Sequence, residues 1–180
     1  SGFDVFFEFS ITAVDPLLDF LGQQPGTTLS YLDNGPARIE NLYVALADLA
    51  APNLGLLPPP ESAPYVGLLG FGTVGQGTWN VLRRNQGEIQ RRAGRPIEIN
   101  WIGTRTLDRA REGTRGIPGV NLTNDPAVVV RHPDVDIVCE LIGGIEPARQ
   151  LVLDAIAHGK HVVTANKALL ARHGTEIFAA

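Results

Sequence analysis

Three glycines, spaced as Gly70-Phe71-Gly72-Thr73-Val74-Gly75, are the residues of this chain with the most evident chemical use. Lacking a Cβ, Gly70 permits a tight turn, Gly72 lets main chain approach a pyrophosphate, and Gly75 lets a helix pack closely on a strand. Free N–H groups at the following helix start, with the positive end of its dipole, would hold the phosphates. Alone the pattern is weak, and a glycine-rich turn without a ligand is its bland alternative. Its placement between an apolar strand and an amphipathic helix is the context that favours the phosphate cradle.

Further candidates fall at the carboxyl ends of later strand-like runs, where open α/β sheets bind ligands. Gly103-Thr104-Arg105 ends the second run, where folds that prefer NAD place an acid for the ribose 2′-hydroxyl. Arg105 suits a 2′-phosphate by bidentate hydrogen bonding, so NADP is expected to bind at least as well as NAD. One more solvated arginine is the competing reading. Leu141-Ile142-Gly143-Gly144-Ile145-Glu146-Pro147 ends the third run, and Thr164-Ala165-Asn166-Lys167 the fourth. Lysine occurs at only two positions, 160 and 167, and an ammonium at a strand end can polarise a carbonyl or relay a proton. Taken alone, Lys167 reads as a solvated helix-start residue and Asn166 as an N-cap.

The elements that must position these residues alternate along the chain. Tyr65–Leu69 reads as a buried strand. A helix follows, with Val74, Thr78, Val81, Leu82 and Ile89 on one face, and Gly94 and Pro96 stop it. Residues 97–102 form a second strand, Asp125-Pro126 opens a short helix, and residues 135–141 form a strand ending at Gly143-Gly144. Pro147 begins a helix with Ala148, Leu151, Val152, Ala155 and Ile156 on one face, which Gly159 ends, and residues 161–164 make another strand. A last helix is expected to begin around Thr175-Glu176. Such alternation requires parallel pairing, hence an α/β fold with a doubly wound, mostly parallel Rossmann sheet, incomplete at its carboxyl end.

The first 64 residues read differently. Phe3, Val5, Phe7, Phe9 and Ile11 alternate with polar residues as a strand, Asp15-Pro16 opens a helix ending at Gly22, and residues 34–49 suggest a second helix. Residues 1–57 are therefore expected to be a small acidic α+β segment of unknown role, 58–64 a Pro-rich linker, and 65–180 the dinucleotide-binding domain. Charge supports that division. Residues 1–64 carry eight acidic side chains against Arg38, a net −7, whereas residues 65–180 carry 14 basic against 11 acidic, a net +3. A surplus of three is too small to argue for nucleic acid, and no apolar run approaches the roughly 18 residues of a membrane span. A single cysteine, Cys139, excludes an internal disulfide framework and fits a reducing cytoplasm. Cys139 reads as a buried inert thiol, Glu140 as a polar strand-end residue rather than one touching substrate or cofactor, and His158 as a helix-end partner. The arginines at 83, 84, 91, 92 and 95 read as a solvated outer face. The four histidines show no metal-ligand spacing, and no metal site is expected.

Three blocks together resemble the amino-terminal domain of homoserine dehydrogenase. They are Val66–Gly75, Glu140-Leu141-Ile142-Gly143-Gly144 with Pro147-Ala148, and the run from Gly159 through Thr164-Ala165-Asn166-Lys167 to Ala171. The resemblance covers about residues 65–180. It implies NAD(P)-linked interconversion of L-homoserine and L-aspartate 4-semialdehyde, on the route to threonine and methionine. It also implies pyrophosphate binding around Gly72, Thr73 and Val74, and a nicotinamide lined by Ile142, Gly143, Gly144, Thr164 and Ala165. Lys167 matches one of two lysines near the reacting carbon. Family members continue into a catalytic domain bearing the other lysine, and the family context implies a homodimer. A chain ending at Ala180 is thus expected to bind cofactor without turning over alone. Residues 3–12 loosely match a later strand of the family and would then join the sheet from the other end of the sequence. Two other readings stay open, a non-catalytic dinucleotide-sensing or interaction module and a semialdehyde dehydrogenase. The latter needs a catalytic cysteine, for which Cys139 is badly placed.

Overall fold

A computed structural model describes residues 64–180, together with the dipeptides Phe3–Asp4 and Thr27–Thr28. The helices and linker expected before residue 64 lie outside the described residues. Phe3–Asp4 pairs in parallel with Thr27–Thr28 and lies beside the strand His161–Thr164, with no hydrogen-bonded ladder described between them. The rest of the proposed strand over residues 3–12 is outside the description.

Five parallel strands make the sheet: β1 (Tyr65–Leu69), β2 (Glu98–Gly103), β3 (Asn121–Thr123), β4 (Ile137–Glu140) and β5 (His161–Thr164). Their spatial order is β3-β2-β1-β4-β5. The chain builds outward from β1 in one direction, then crosses back to place β4 on its other side. That reversal opens a crevice at the carboxyl ends of β1 and β4, the switch point of a doubly wound sheet. Among the described residues six helices accompany the strands: α1 (Thr73–Arg84), α2 (Gln86–Ala93), α3 (Leu107–Gly113), α4 (Pro126–Arg131), α5 (Ala148–Ala157) and α6 (Lys167–Ala179).

Strand side chains alternate between two cores because successive Cβ atoms leave opposite faces. In β4, Ile137 and Cys139 join Val66, Leu68, Trp79, Leu82 and Ile89 on one face, while Val138 joins Leu69, Val152, Leu169 and Leu170 on the other. Residues of both faces are apolar, as a sheet covered on both sides requires.

Local chemistry explains where the elements start and stop, and where they depart from expectation. One helix was expected from the glycine loop to Gly94, but two are present. The side chain of Asn85 and its backbone N–H both bond the Val81 carbonyl, at 2.9 and 3.0 Å, which ends α1 and lets α2 restart at Gln86. Gly94, in the left-handed region, then terminates α2. Of the expected apolar stripe, Thr78, Leu82 and Ile89 are buried, whereas Val74 is 45% exposed because the first turn of α1 faces the crevice. Arg95 is buried, contrary to the expected solvated face, whereas Arg83, Arg84 and Arg91 are exposed. Arg83 lies over the Trp79 ring.

The helix expected around Thr175-Glu176 begins at Lys167 instead. Asn166 caps it by accepting the Leu169 N–H at 3.1 Å, so the helix continues directly from the β5 turn. Asp125 caps α4 in the same way, with Pro126 in its first turn. β3 and α3 carry too few residues to show a period. β2 and β4 run 98–103 and 137–140 rather than 97–102 and 135–141.

Gly75 shows how tightly the first turn is built. A Cβ there would run into the Gly70 carbonyl, a main-chain group that cannot swing aside as a flexible side chain could. Gly75→Ala is expected to lower stability by about 1–3 kcal/mol in urea unfolding. Gly87→Ala, in α2 with open space around it, should be neutral or raise stability by about 0.5–1 kcal/mol. Equal effects of the two changes would contradict this packing.

Candidate functional site

The turn from β1 to α1 is held before any ligand is considered. Gly70 adopts φ +95°, its N–H bonds the Gly103 carbonyl at 2.8 Å, and a Cβ on it would sit 2.9 Å from the Leu141 carbonyl oxygen. The loop is thus wedged between the carboxyl ends of β2 and β4. Phe71 points inward, fully buried against Trp79, and its carbonyl accepts from the Gln76 side chain. Gly72, Thr73 and Val74 are what the turn presents to solvent.

No side chain caps α1. The opening N–H groups of a helix have no intrahelical acceptors, so these donors await an external partner. A Cβ on Gly72 would meet nothing within 4 Å, leaving open space against the main chain. An exposed, uncapped helix start beside such a space fits a pyrophosphate, and the neighbouring cleft fits a flat apolar ring.

That cleft, of about 270 Å³, is lined by Val74, Leu141, Ile142, Gly143, Ala165, Asn166 and Lys167. Its volume is near the low end for small-molecule sites, enough for one ring rather than a whole dinucleotide. Of the residues expected at the site, Val74, Ile142, Gly143, Ala165 and Lys167 come together here. Gly70, Phe71 and Gly75 support the loop from behind. Gly144 and Thr164 do not line the cleft. Arg105 is exposed at the end of β2, where Thr104 is tied to the Thr123 carbonyl at 2.9 Å.

Thr164 is buried, and its hydroxyl donates to Glu140 Oε2 at 2.6 Å. The other Glu140 oxygen accepts the Ile142 N–H at 2.6 Å. Glu140 and Thr164 are register partners in the β4–β5 ladder, which sets their carboxylate and hydroxyl side by side. Asn166 closes the arrangement, its amide nitrogen donating to the Ile142 and Gly144 carbonyls at 3.2 and 2.5 Å. Asn166, expected only as a cap, is therefore both cap and cleft wall. Glu140, expected as a polar strand-end residue, is fully buried. An acid at the end of an otherwise apolar strand was the available signal, but its partner is visible only with the strand register.

Burial pushes the Glu140 carboxyl up to about 7, against the opposing pull of hydrogen bonds from Thr164, Ile142 and Asn166. Burial, and then the neighbouring Glu140 charge, push the Cys139 thiol well above its usual range, so it is an inert core residue. Lys160 sits away from the cleft, donating to the His132 carbonyl at 2.7 Å, and burial lowers its pKa. His158 caps α5, its Nδ1 2.8 Å from the Asp154 carbonyl. Arg149 joins the α5 start to α6 by pairing with Glu176 and Glu146. No helix of the described residues is long and apolar enough to cross a membrane.

Comparison with known proteins matches residues 70–180 to the family model of the homoserine dehydrogenase NAD-binding domain. Homoserine dehydrogenase of Methylobacillus glycogenes is 59% identical over 106 residues, covering 59% of this chain and 25% of that protein. The Synechocystis sp. enzyme is 50% identical over 115 residues, covering 64% and 26%. Among solved structures, a homoserine dehydrogenase from Thiobacillus denitrificans superposes with a TM-score of 0.61 at 58% identity, over 66% of this chain and 27% of that one. The S. aureus homoserine dehydrogenase gives 0.56 at 35% identity, over 64% and 28%. The matched stretch spans about a quarter of the length of these relatives.

The raised Glu140 carboxyl sets a pH dependence of stability. The folded chain holds this proton more tightly than the unfolded chain, so its contribution favours folding in acid. That contribution is lost as pH rises from about 4.5 through 7, and is constant above. Glu140→Gln has no such proton. Its stability relative to wild type should therefore rise between pH 5 and pH 8, by on the order of 3 kcal/mol at most. A difference that stays constant with pH, measured by urea unfolding, would contradict the assignment.

Proposed function

The chain belongs to the homoserine dehydrogenase NAD-binding domain family, and from that membership we propose that it holds NADP or NAD across the β1–β4 crevice for a homoserine dehydrogenase reaction. That reaction interconverts L-homoserine and L-aspartate 4-semialdehyde by hydride transfer, the chemistry the bound nicotinamide would supply. The observation that carries the reading is the uncapped start of α1, exposed at Gly72, Thr73 and Val74, contiguous through Val74 with the cleft between the β4 and β5 turns.

Each group of residues has a part in this proposal. The first N–H groups of α1 take the pyrophosphate, and Gly72 leaves it room. Val74, Leu141, Ile142 and Ala165 exclude water from one face of the nicotinamide, with the Gly143 main chain beside them. Gly144 and Thr164 act from behind, through the hydrogen bonds to Asn166 and Glu140. Lys167, on the open side of the cleft, can orient or polarise a substrate carbonyl oxygen. Arg105, exposed at the β2 end, would meet a 2′-phosphate and tilt the preference toward NADP. A small amino-acid substrate follows from the reaction, and homodimer formation and a cytoplasmic site follow from the family resemblance alone.

Fluorescence titration with NADPH tests the reading. Gly72→Ala should weaken binding at least about 10-fold while leaving thermal stability unchanged, because its methyl enters open space that the pyrophosphate needs. Arg105→Ala should weaken NADPH about 10-fold and leave NADH unaffected. Wild-type binding by Gly72→Ala would overturn the phosphate site, and equal losses for both nucleotides in Arg105→Ala would overturn the 2′-phosphate role.

A further inference from the structure

Glu140 lies behind the cleft and touches none of its open space, yet its contacts reach both turns that form the cleft walls. From Oε1 the contact runs to the Ile142 N–H, in the turn that follows β4. From Oε2 it runs to the Thr164 hydroxyl, which also accepts the Asn166 N–H at 3.0 Å at the start of the turn that leads into α6. Asn166 returns to the Ile142 and Gly144 carbonyls, so the connections form a closed circuit. A buried carboxylate is costly to hold, and an apolar residue of similar size would fill a strand end with less penalty.

We propose that Glu140 is a positioning residue for the dinucleotide, locking the Ile142–Gly144 turn and the Ala165–Lys167 turn into one rigid wall. The proposal rests on the cofactor reading given above and adds to it the group that fixes the wall's shape. The ionised carboxylate suits this circuit, because its partners Thr164, Ile142 and Asn166 all donate. When Glu140 is protonated, the Ile142 N–H and the Asn166 amide can still only donate, so the Thr164 hydroxyl beside Oε2 is the partner able to accept the proton. The Thr164 hydroxyl must then turn and accept from Glu140 as well as from Asn166, which alters the second half of the circuit.

The carboxyl titrates near neutrality, so the wall is expected to change over the pH range in which a dinucleotide binds. Beside it on β4, Cys139 interacts with the Glu140 charge; on the neighbouring elements, Lys167 stands on the cleft wall at the start of α6, and Arg149 lies in the first turn of α5. Arg149 is already engaged by Glu146 and Glu176. Cys139 stays neutral throughout.

The test is fluorescence titration of the 180-residue chain with NADH from pH 5.5 to 8.5, with circular dichroism verifying the fold. NADH is chosen because it lacks a 2′-phosphate that would titrate in this range. Wild-type affinity should rise about 10-fold with pH, while Glu140→Gln should be flat and close to the wild-type value in acid. Thr164→Val should lose affinity and pH dependence together, and Thr164→Ser, which keeps the hydroxyl, should restore both. A folded Glu140→Gln with wild-type affinity and pH profile overturns the proposal. If Glu140→Gln does not fold, a Thr164→Val protein with the wild-type profile overturns it equally. A wild-type chain that binds neither NADH nor NADPH overturns the cofactor reading itself, and this inference with it.

Discussion

The structure depends on one close approach, that of the first turn of α1 to the end of β1. Gly75 lies against the Gly70 carbonyl with no room for a Cβ, and Gly70 itself turns through the left-handed region under the Leu141 carbonyl. Together they direct the axis of α1 so that its first N–H groups open at the carboxyl edge of the sheet. A Cβ at either glycine would press on main-chain carbonyls, so the turn would have to shift to admit it. The rest of the site presupposes that placement: an uncapped dipole end is useful only beside the strand ends that supply the other walls.

A second constraint sets those walls. The parallel ladder between β4 and β5 pairs Glu140 with Thr164, so the polar ends of two otherwise apolar strands meet in the interior. Burial raises the energy of the charged carboxylate, and donors from both turns offset part of that rise. Rigid turns at this edge would serve the proposed hydride transfer, which demands a narrow range of ring positions that loose loops do not hold. Arg149 and its two glutamates reinforce the same corner from outside, tying the α5 and α6 starts together.

Much of this was legible from residues alone. The glycine spacing, the apolar run before it and the order of strand and helix signals pointed to a doubly wound parallel sheet, and the blocks ending at Gly75, Gly144 and Ala171 pointed to the family. What the sequence concealed has physical causes. Asn85 breaks α1 by a side-chain bond that hydrophobic period cannot reveal. α3 and β3 are too short to display one. Asn166 looked like a cap because capping is local, whereas its bonds to the 142–144 turn join positions 22 and 24 residues apart. Thr164 resembled a cleft residue, but strand alternation turns its hydroxyl inward toward Glu140.

On the proposed function, the α1 start binds the dinucleotide's pyrophosphate. Amide chemical-shift mapping of the isotope-labelled chain during NADPH titration tests it most directly. The largest shifts are expected at the Gly72, Thr73 and Val74 N–H groups, with smaller ones at Ile142, Gly143 and Ala165. Saturable binding that leaves the 72–74 amides unmoved, with shifts confined to other elements, would contradict it.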